Sequence, residues 1–281
     1  MKRKLLRSLL SWAVLSPLIV LVLFPFAVMI STALKPETEV MSYPPRWLPR
    51  HWSFASFPAM WEQAHFSTAI PSSLIICFGS VLLTLCVAIP AAYALARLQF
   101  RLKPFYRLFL LVTQMLAPVL LILGLFRMAA AVPFGDGSLV NTRLGVILIY
   151  GAFQIAFSVW MLSAYFAAIP RDIEEAAWID GCGRIRAIWH MFLPLAVPAI
   201  AVCASVAFVY GWNEYVVALT MLRSQDKQTV TLQAVNLVAG RYSVEWNQVM
   251  AATLVATLPV AVVFAALQRF MVRGLTLGAV K

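Results

Sequence analysis

Six apolar runs, at residues 9–34, 72–96, 108–131, 144–168, 195–222 and 249–271, constrain this chain more than any other feature. Each is near the roughly 20 residues that an α-helix needs to cross the hydrocarbon core of a bilayer. Lipid offers no water to backbone N–H and C=O groups, so runs of this length are expected to be helices. Pro17, Pro25, Pro90, Pro118 and Pro259 lie inside them and are expected to kink rather than break them. The expectation is an all-α polytopic membrane protein, one transmembrane domain over residues 1–281. Composition agrees, with 62% hydrophobic and 12% charged residues, where a soluble domain carries about 25% charged.

The opening MKRKLLRSLLSWAVLSPLIVLVLFPFAVMI starts like a signal peptide, basic and then apolar. Its apolar run is too long for a signal h-region, so it reads as a retained first span. The net charge of +11 does not point to nucleic acid, because the basic residues sit in short clusters beside apolar runs. With the N-terminus inside, the inside segments hold Lys2, Arg3, Lys4 and Arg7; Arg97, Arg101, Lys103 and Arg107; Arg171, Arg184 and Arg186; and Arg269, Arg273 and Lys281. Lys35, Arg46, Arg50, Arg127, Arg143, Arg223, Lys227 and Arg241 are spread more thinly over the outside segments. The positive-inside rule therefore predicts N-in, C-in. The first outside loop, about residues 35–68, contains YPPRWLPRHWSF. That segment is too rich in Pro and Trp for a regular helix and suits anchoring at the headgroups.

The segment 170–198, PRDIEEAAWIDGCGRIRAIWHMFLPLAVP, breaks the apolar pattern on the predicted inside. Asp172, three residues before Glu175, reads as the N-cap of a capping box, and Glu174 and Glu175 suit the positive end of a helix dipole. Ile173, Ala176, Ala177 and Asp180 recur at helical spacing, with the alanines leaving a thin face for close packing. Gly181 is placed to end the helix in a left-handed C′ conformation. A second short helix is expected from about Arg184 to Phe192, stopping before Leu193–Pro194. A connector between two spans needs only a few residues, so two capped helices point to docking on a cytoplasmic partner.

Glu175-Ala176-Ala177, three residues, Gly181, nine residues and then Met191-x-Leu193-Pro194 resembles the EAA loop of ABC importer permeases, where Ile usually stands in place of Met191. PPRWLP, AAYALARLQF, LVNTRLGVIL, GWNEYVVALT and LQRFMVRGLTLGAVK extend the resemblance, in order, to carbohydrate importer permeases of the maltose type, the MalG-like subunits. The resemblance implies a type I ABC importer permease fold in a bacterial inner membrane. It implies an EAA helix seated in a cleft of an ATP-binding subunit and moving with it. Asp172, Glu174, Glu175, Ala176, Ala177, Asp180, Gly181, Met191, Leu193 and Pro194 are then the coupling residues. It also implies a second homologous permease as heterodimer partner, two ATP-binding subunits and an extracytoplasmic sugar-binding protein. ATP and Mg would be bound by the ATPase partner and no cofactor by this chain. The chain ends just after GLTLGAV, so a long C-terminal regulatory tail is not expected.

The residues themselves offer no motor or catalyst. No GxxxxGK[ST], HExxH or nucleophile elbow is present. His51, His65 and His190 are scattered, and Cys77 and Cys86, nine residues apart, fall on opposite helix faces, so neither a metal site nor a disulfide is expected. Glu214, in WNE, is the one acid inside an apolar run, where an ionisable group is costly and marks a candidate site. It could contact sugar together with Asn213, couple a proton, or pair with a neighbouring span or the partner permease; pairing fits best, since WNE resembles a feature shared by family members with different sugars. Gln114, Asn141, Gln154 and Ser158 fit either a pathway or interhelical hydrogen bonding. Trp160 and Tyr165 fit packing or an aromatic belt better than sugar platforms. A permease for a non-sugar solute and a proton-coupled carrier remain the alternative functions. The lone intramembrane acid and the lack of two long repeats disfavour the carrier.

Overall fold

The computed structural model describes residues 2–278 except Asp136, Asp180 and residues 240–242. Of the charges used for orientation, Arg241 and Lys281 lie outside these residues. Among the described residues the regular structure is helical apart from one small hairpin. In order the elements are α1 (Lys2–Ala33), α2 (Glu37–Val40), α3 (Ser56–Gln63), α4 (Phe66–Arg97), α5 (Lys103–Met115) and α6 (Pro118–Ala131). The antiparallel hairpin β1 (Pro133–Phe134) and β2 (Gly137–Ser138) precedes α7 (Arg143–Ala168) and α8 (Arg171–Ile179). Then come α9 (Arg184–Ala187), a π-helical turn (Ile188–Phe192), α10 (Leu193–Leu195), α11 (Val197–Asn213), α12 (Val216–Met221), a 3₁₀ turn (Gln225–Lys227), α13 (Val230–Asn236) and α14 (Trp246–Gly278).

Four helices are long and apolar enough to cross a membrane, or up to six if each of two bent pairs counts as one span. The span at Pro118 bends far more sharply than the kink expected there, and the 195–222 span, for which no kink is expected, is also broken. Within 108–131, α5 and α6 meet at 100°. Leu116 (ψ 117°) and Ala117 (ψ 127°) are both extended, and Pro118 disfavours helical backbone at Ala117, the residue before it. Within 195–222, the helix running in from Ile185 turns by 80° at Ala196, just ahead of Pro198 in the first turn of α11. A second break follows at Glu214, whose extended backbone (ψ 126°) ends α11.

The chain divides into two compact units. Met1–Ser67 with Gln233–Leu258 forms one. Here the Pro/Trp segment is irregular, as its composition predicts, and is tied to the end of α1. The Lys35 ammonium donates to Arg46 O at 2.5 Å, Ser53 N to Leu34 O at 2.9 Å, and Ser31 Oγ to Trp47 O. Phe24 and Trp47 rings meet at 5.8 Å, and Arg50 N donates to the Glu39 carboxylate at 2.8 Å.

Thr68–Leu232 with Pro259–Lys281 forms the other unit. One apolar cluster joins α4, α7 and α11 through Ala92, Tyr93, Leu95, Val159, Leu162, Phe166, Phe192 and Cys203. Another joins α4, α7 and α12 through Ile76, Val146, Tyr150, Val217 and Met221. The α4–α7 contact depends on small residues: a Cβ added at Gly151 would stand 2.6 Å from Leu83 Cδ2. Such close backbone approach is how helices gain packing energy where no hydrophobic effect separates them from lipid.

Candidate functional site: the charged loop and its brace

Helix α8 starts at Arg171. Asp172 therefore sits inside the first turn rather than at the N-cap, which is a correction to the capping-box reading. Pro170, with no N–H to leave unsatisfied, takes the place ahead of the helix. The other end agrees with expectation. Gly181 adopts φ +77°, its N–H donates to Trp178 O at 3.0 Å, and Cys182 N donates to Ala177 O at 2.8 Å. Those two bonds make a Schellman motif. Asp180 lies outside the described residues.

The second helix does not stop before Leu193–Pro194, a second correction. It passes through a π-turn, in which Leu193 N donates to Ile188 O, and continues to Leu195. A π-turn widens the helix by one residue just where Pro194 removes a donor and would crowd the preceding turn.

The acids of α8 face opposite ways. Asp172 and Glu175 are exposed, as is Ala176, whereas Glu174 and Ala177 are buried. Glu174 receives the Tyr93 hydroxyl at 2.8 Å and pairs with Arg97 Nε at 3.3 Å, an ion pair without an aligned hydrogen bond at that nitrogen. Both side chains are about 5% exposed. Arg97 also donates to Ile169 O at 2.6 Å and stacks over Phe192, 5.1 Å from the ring centroid. Phe192 meets Tyr93 and Phe166 edge-on at 5.1 and 5.5 Å. Both limbs of the loop are thus fixed to the ends of α4 and α7 by one buried brace. Met191 and Leu193 are half-buried, with Met191 against the same core, and Pro194 is exposed.

Tyr93, Arg97 and Phe192 were missed as site residues. Their one local signal is the i, i+4 spacing of Tyr93 and Arg97 in AAYALAR at the end of an apolar run. Beyond the brace the loop turns an apolar ridge outward: Ile179 is 86% exposed, Ile185 75% and Trp189 63%. A groove lined by Gly181, Gly183, Ile185, Arg186, Trp189 and His190 runs along it.

Glu214 lies at the α11–α12 break. Its carboxylate accepts from Val217 N at 3.0 Å and Ala218 N at 3.3 Å and from the Tyr150 hydroxyl of α7 at 2.9 Å. A carboxylate in this position caps the orphan donors that the break creates. Asn213 is exposed, and its amide donates back to Val209 O. Asn141 is in a left-handed turn at φ +59°. Its side chain clamps residues 223–224, accepting from both backbone N–H groups and donating to Ser224 Oγ. Gln154 and Ser158 are buried, Gln114 and Trp160 exposed, and Tyr165 donates to Leu195 O. Among the described residues no group of three His, Cys, Asp or Glu could hold a metal ion.

Residues 85–277 match the family described as binding-protein-dependent transport system inner membrane component. The diacetylchitobiose uptake system permease protein DasC of Streptomyces coelicolor is 30% identical over 258 residues, 92% of this chain and 91% of that one. The melibiose/raffinose/stachyose import permease protein MelC of Bacillus subtilis is 32% identical over 259 residues, again 92% and 91%. In fold, the chain superposes with a TM-score of 0.78 on a chain of a bacterial ABC transporter that imports the acidic polysaccharide alginate, at 20% identity, covering 96% and 98%.

Proposed function

Since this chain belongs to the binding-protein-dependent transport system inner membrane component family, we propose that it is half of the translocation pathway of an ATP-driven sugar importer. It is an inner-membrane permease subunit; the sugar, the sidedness and the coupling are the proposal. The sugar assignment rests on relatives named for oligosaccharide uptake. A non-sugar solute is the second reading.

In the proposed arrangement the two bent pairs each count as one crossing, giving six spans, with both termini and the 170–194 loop in the cytoplasm. A second homologous permease completes the pathway. Two ATP-binding subunits hold ATP and Mg, and an extracytoplasmic binding protein delivers the sugar. The outward ridge of Ile179, Ile185 and Trp189 docks on an ATP-binding subunit, and the Arg97–Glu174 brace carries that subunit's motion to α4 and α7. Asp172, Glu175 and Ala176 lie on the docking side, with Gly181 fixing the angle between the loop's two helices.

The observation that carries this reading is the pairing of an exposed apolar ridge with a buried ion pair at its root. A loop meant only to connect spans needs neither. A photo-crosslinking residue in place of Trp189 in the assembled complex tests it: capture of the ATP-binding subunit is expected, and crosslinking to lipid alone would refute the docking. Identifying the solute retained by the co-purified binding protein decides between sugar and non-sugar import.

A further inference from the structure

The groove at the start of α5 has a chemistry that coupling does not use. It is lined by Gln99, Phe100, Lys103, Pro104, Arg107, Leu108 and Leu111, with a volume of about 620 Å³. Lys103, Arg107 and Leu111 follow at i, i+4 and i+8, so one helix face passes from cationic to apolar over roughly 12 Å. Leu108 and Leu111 are exposed, as is Arg107.

Arg97 and Glu174 form an ion pair, but no carboxylate among the described residues is paired with Lys103, Arg107, Arg101 or Arg171. Lys103 keeps one neutral bond, to Leu98 O at 3.0 Å. Like charges gathered beside an apolar strip call for an anion with a hydrocarbon tail.

We propose that this face of α5 binds an anionic phospholipid, its phosphate between Lys103 and Arg107 and an acyl chain along Leu108 and Leu111. The site requires the inner-membrane location only; it stands or falls independently of sugar import and of ATPase docking.

The test is native mass spectrometry of the intact complex exchanged into mixed phosphatidylglycerol and phosphatidylcholine. Lys103→Gln or Arg107→Gln is expected to lower phosphatidylglycerol retention about fivefold, and the two together about thirtyfold. Phosphatidylcholine retention is expected to be unchanged. An equal loss from Arg101→Gln, or no selective loss in the double variant, would overturn the site. In otherwise native protein, a photo-crosslinker at Leu111 is expected to capture phospholipid; capture of another protein chain instead would show that a subunit covers this face and overturn the proposal.

Discussion

Breaking the brace from one side should open the loop, and breaking it from both sides should not. Arg97 and Glu174 are both about 5% exposed, so Glu174→Leu leaves a guanidinium buried without its ion-pair partner, held by the Ile169 carbonyl and the Phe192 ring. Removing one member of a buried pair costs about 3–5 kcal/mol, whereas replacing both with apolar groups of similar volume is often close to neutral. Local opening can be read through Ala177→Cys, since Ala177 is buried, in a background lacking the accessible Cys86 and Cys182 thiols. When opening precedes labelling, the rate follows the open population. Glu174→Leu or Arg97→Met should then speed modification by about two to four orders of magnitude. The double variant should return to within about tenfold of the parent. A double variant as labile as the singles, or singles as slow as the parent, would refute the brace.

Gly181→Val should leave the protein inserted and assembled, because a Cβ there meets nothing within 4 Å, yet strain the φ of +77° by about 1–2 kcal/mol. Loss of binding-protein-stimulated ATPase is expected, and normal stimulation would contradict the role of the turn. Glu214→Ala strips acceptors from Val217 N, Ala218 N and Tyr150, a loss of about 1–3 kcal/mol seen as weaker assembly on co-purification. Glu214→Gln keeps one oxygen and should transport; lost transport with intact assembly would mean that Glu214 contacts substrate instead. Glu39 is held below its ordinary value, first by the Arg50 backbone N–H. Its contribution is therefore present above the unfolded carboxyl pKa of about 4.3 and lost as pH falls through the lower folded value. Proteolysis of the 41–55 segment should rise only in that acid window, and Glu39→Gln should flatten the change.

The membrane class and the Gly181 turn were legible because each is local. Hydropathy sums over a window, and a left-handed C-cap is marked by one residue type. The bends were less legible: a hydropathy window registers composition and not direction, so Leu116–Ala117 passed as a mere kink at Pro118, and the turn at Ala196 passed unmarked although Pro198 stands just after it. The Glu214 break has no proline at all and depends on a carboxylate capping its own chain. The brace was invisible for another reason. Arg97 and Glu174 are 77 positions apart, Arg97 had a sufficient explanation as an orienting charge, and Glu174 had one in the helix dipole.

Uptake into proteoliposomes that hold the complete complex, with ATP enclosed beside the ATP-binding subunits, tests the importer reading most directly. Sugar should accumulate only when ATP, both ATP-binding subunits and the external binding protein are present, and Gly181→Val should abolish accumulation without dissociating the complex. Accumulation that persists without ATP or without the binding protein would contradict it.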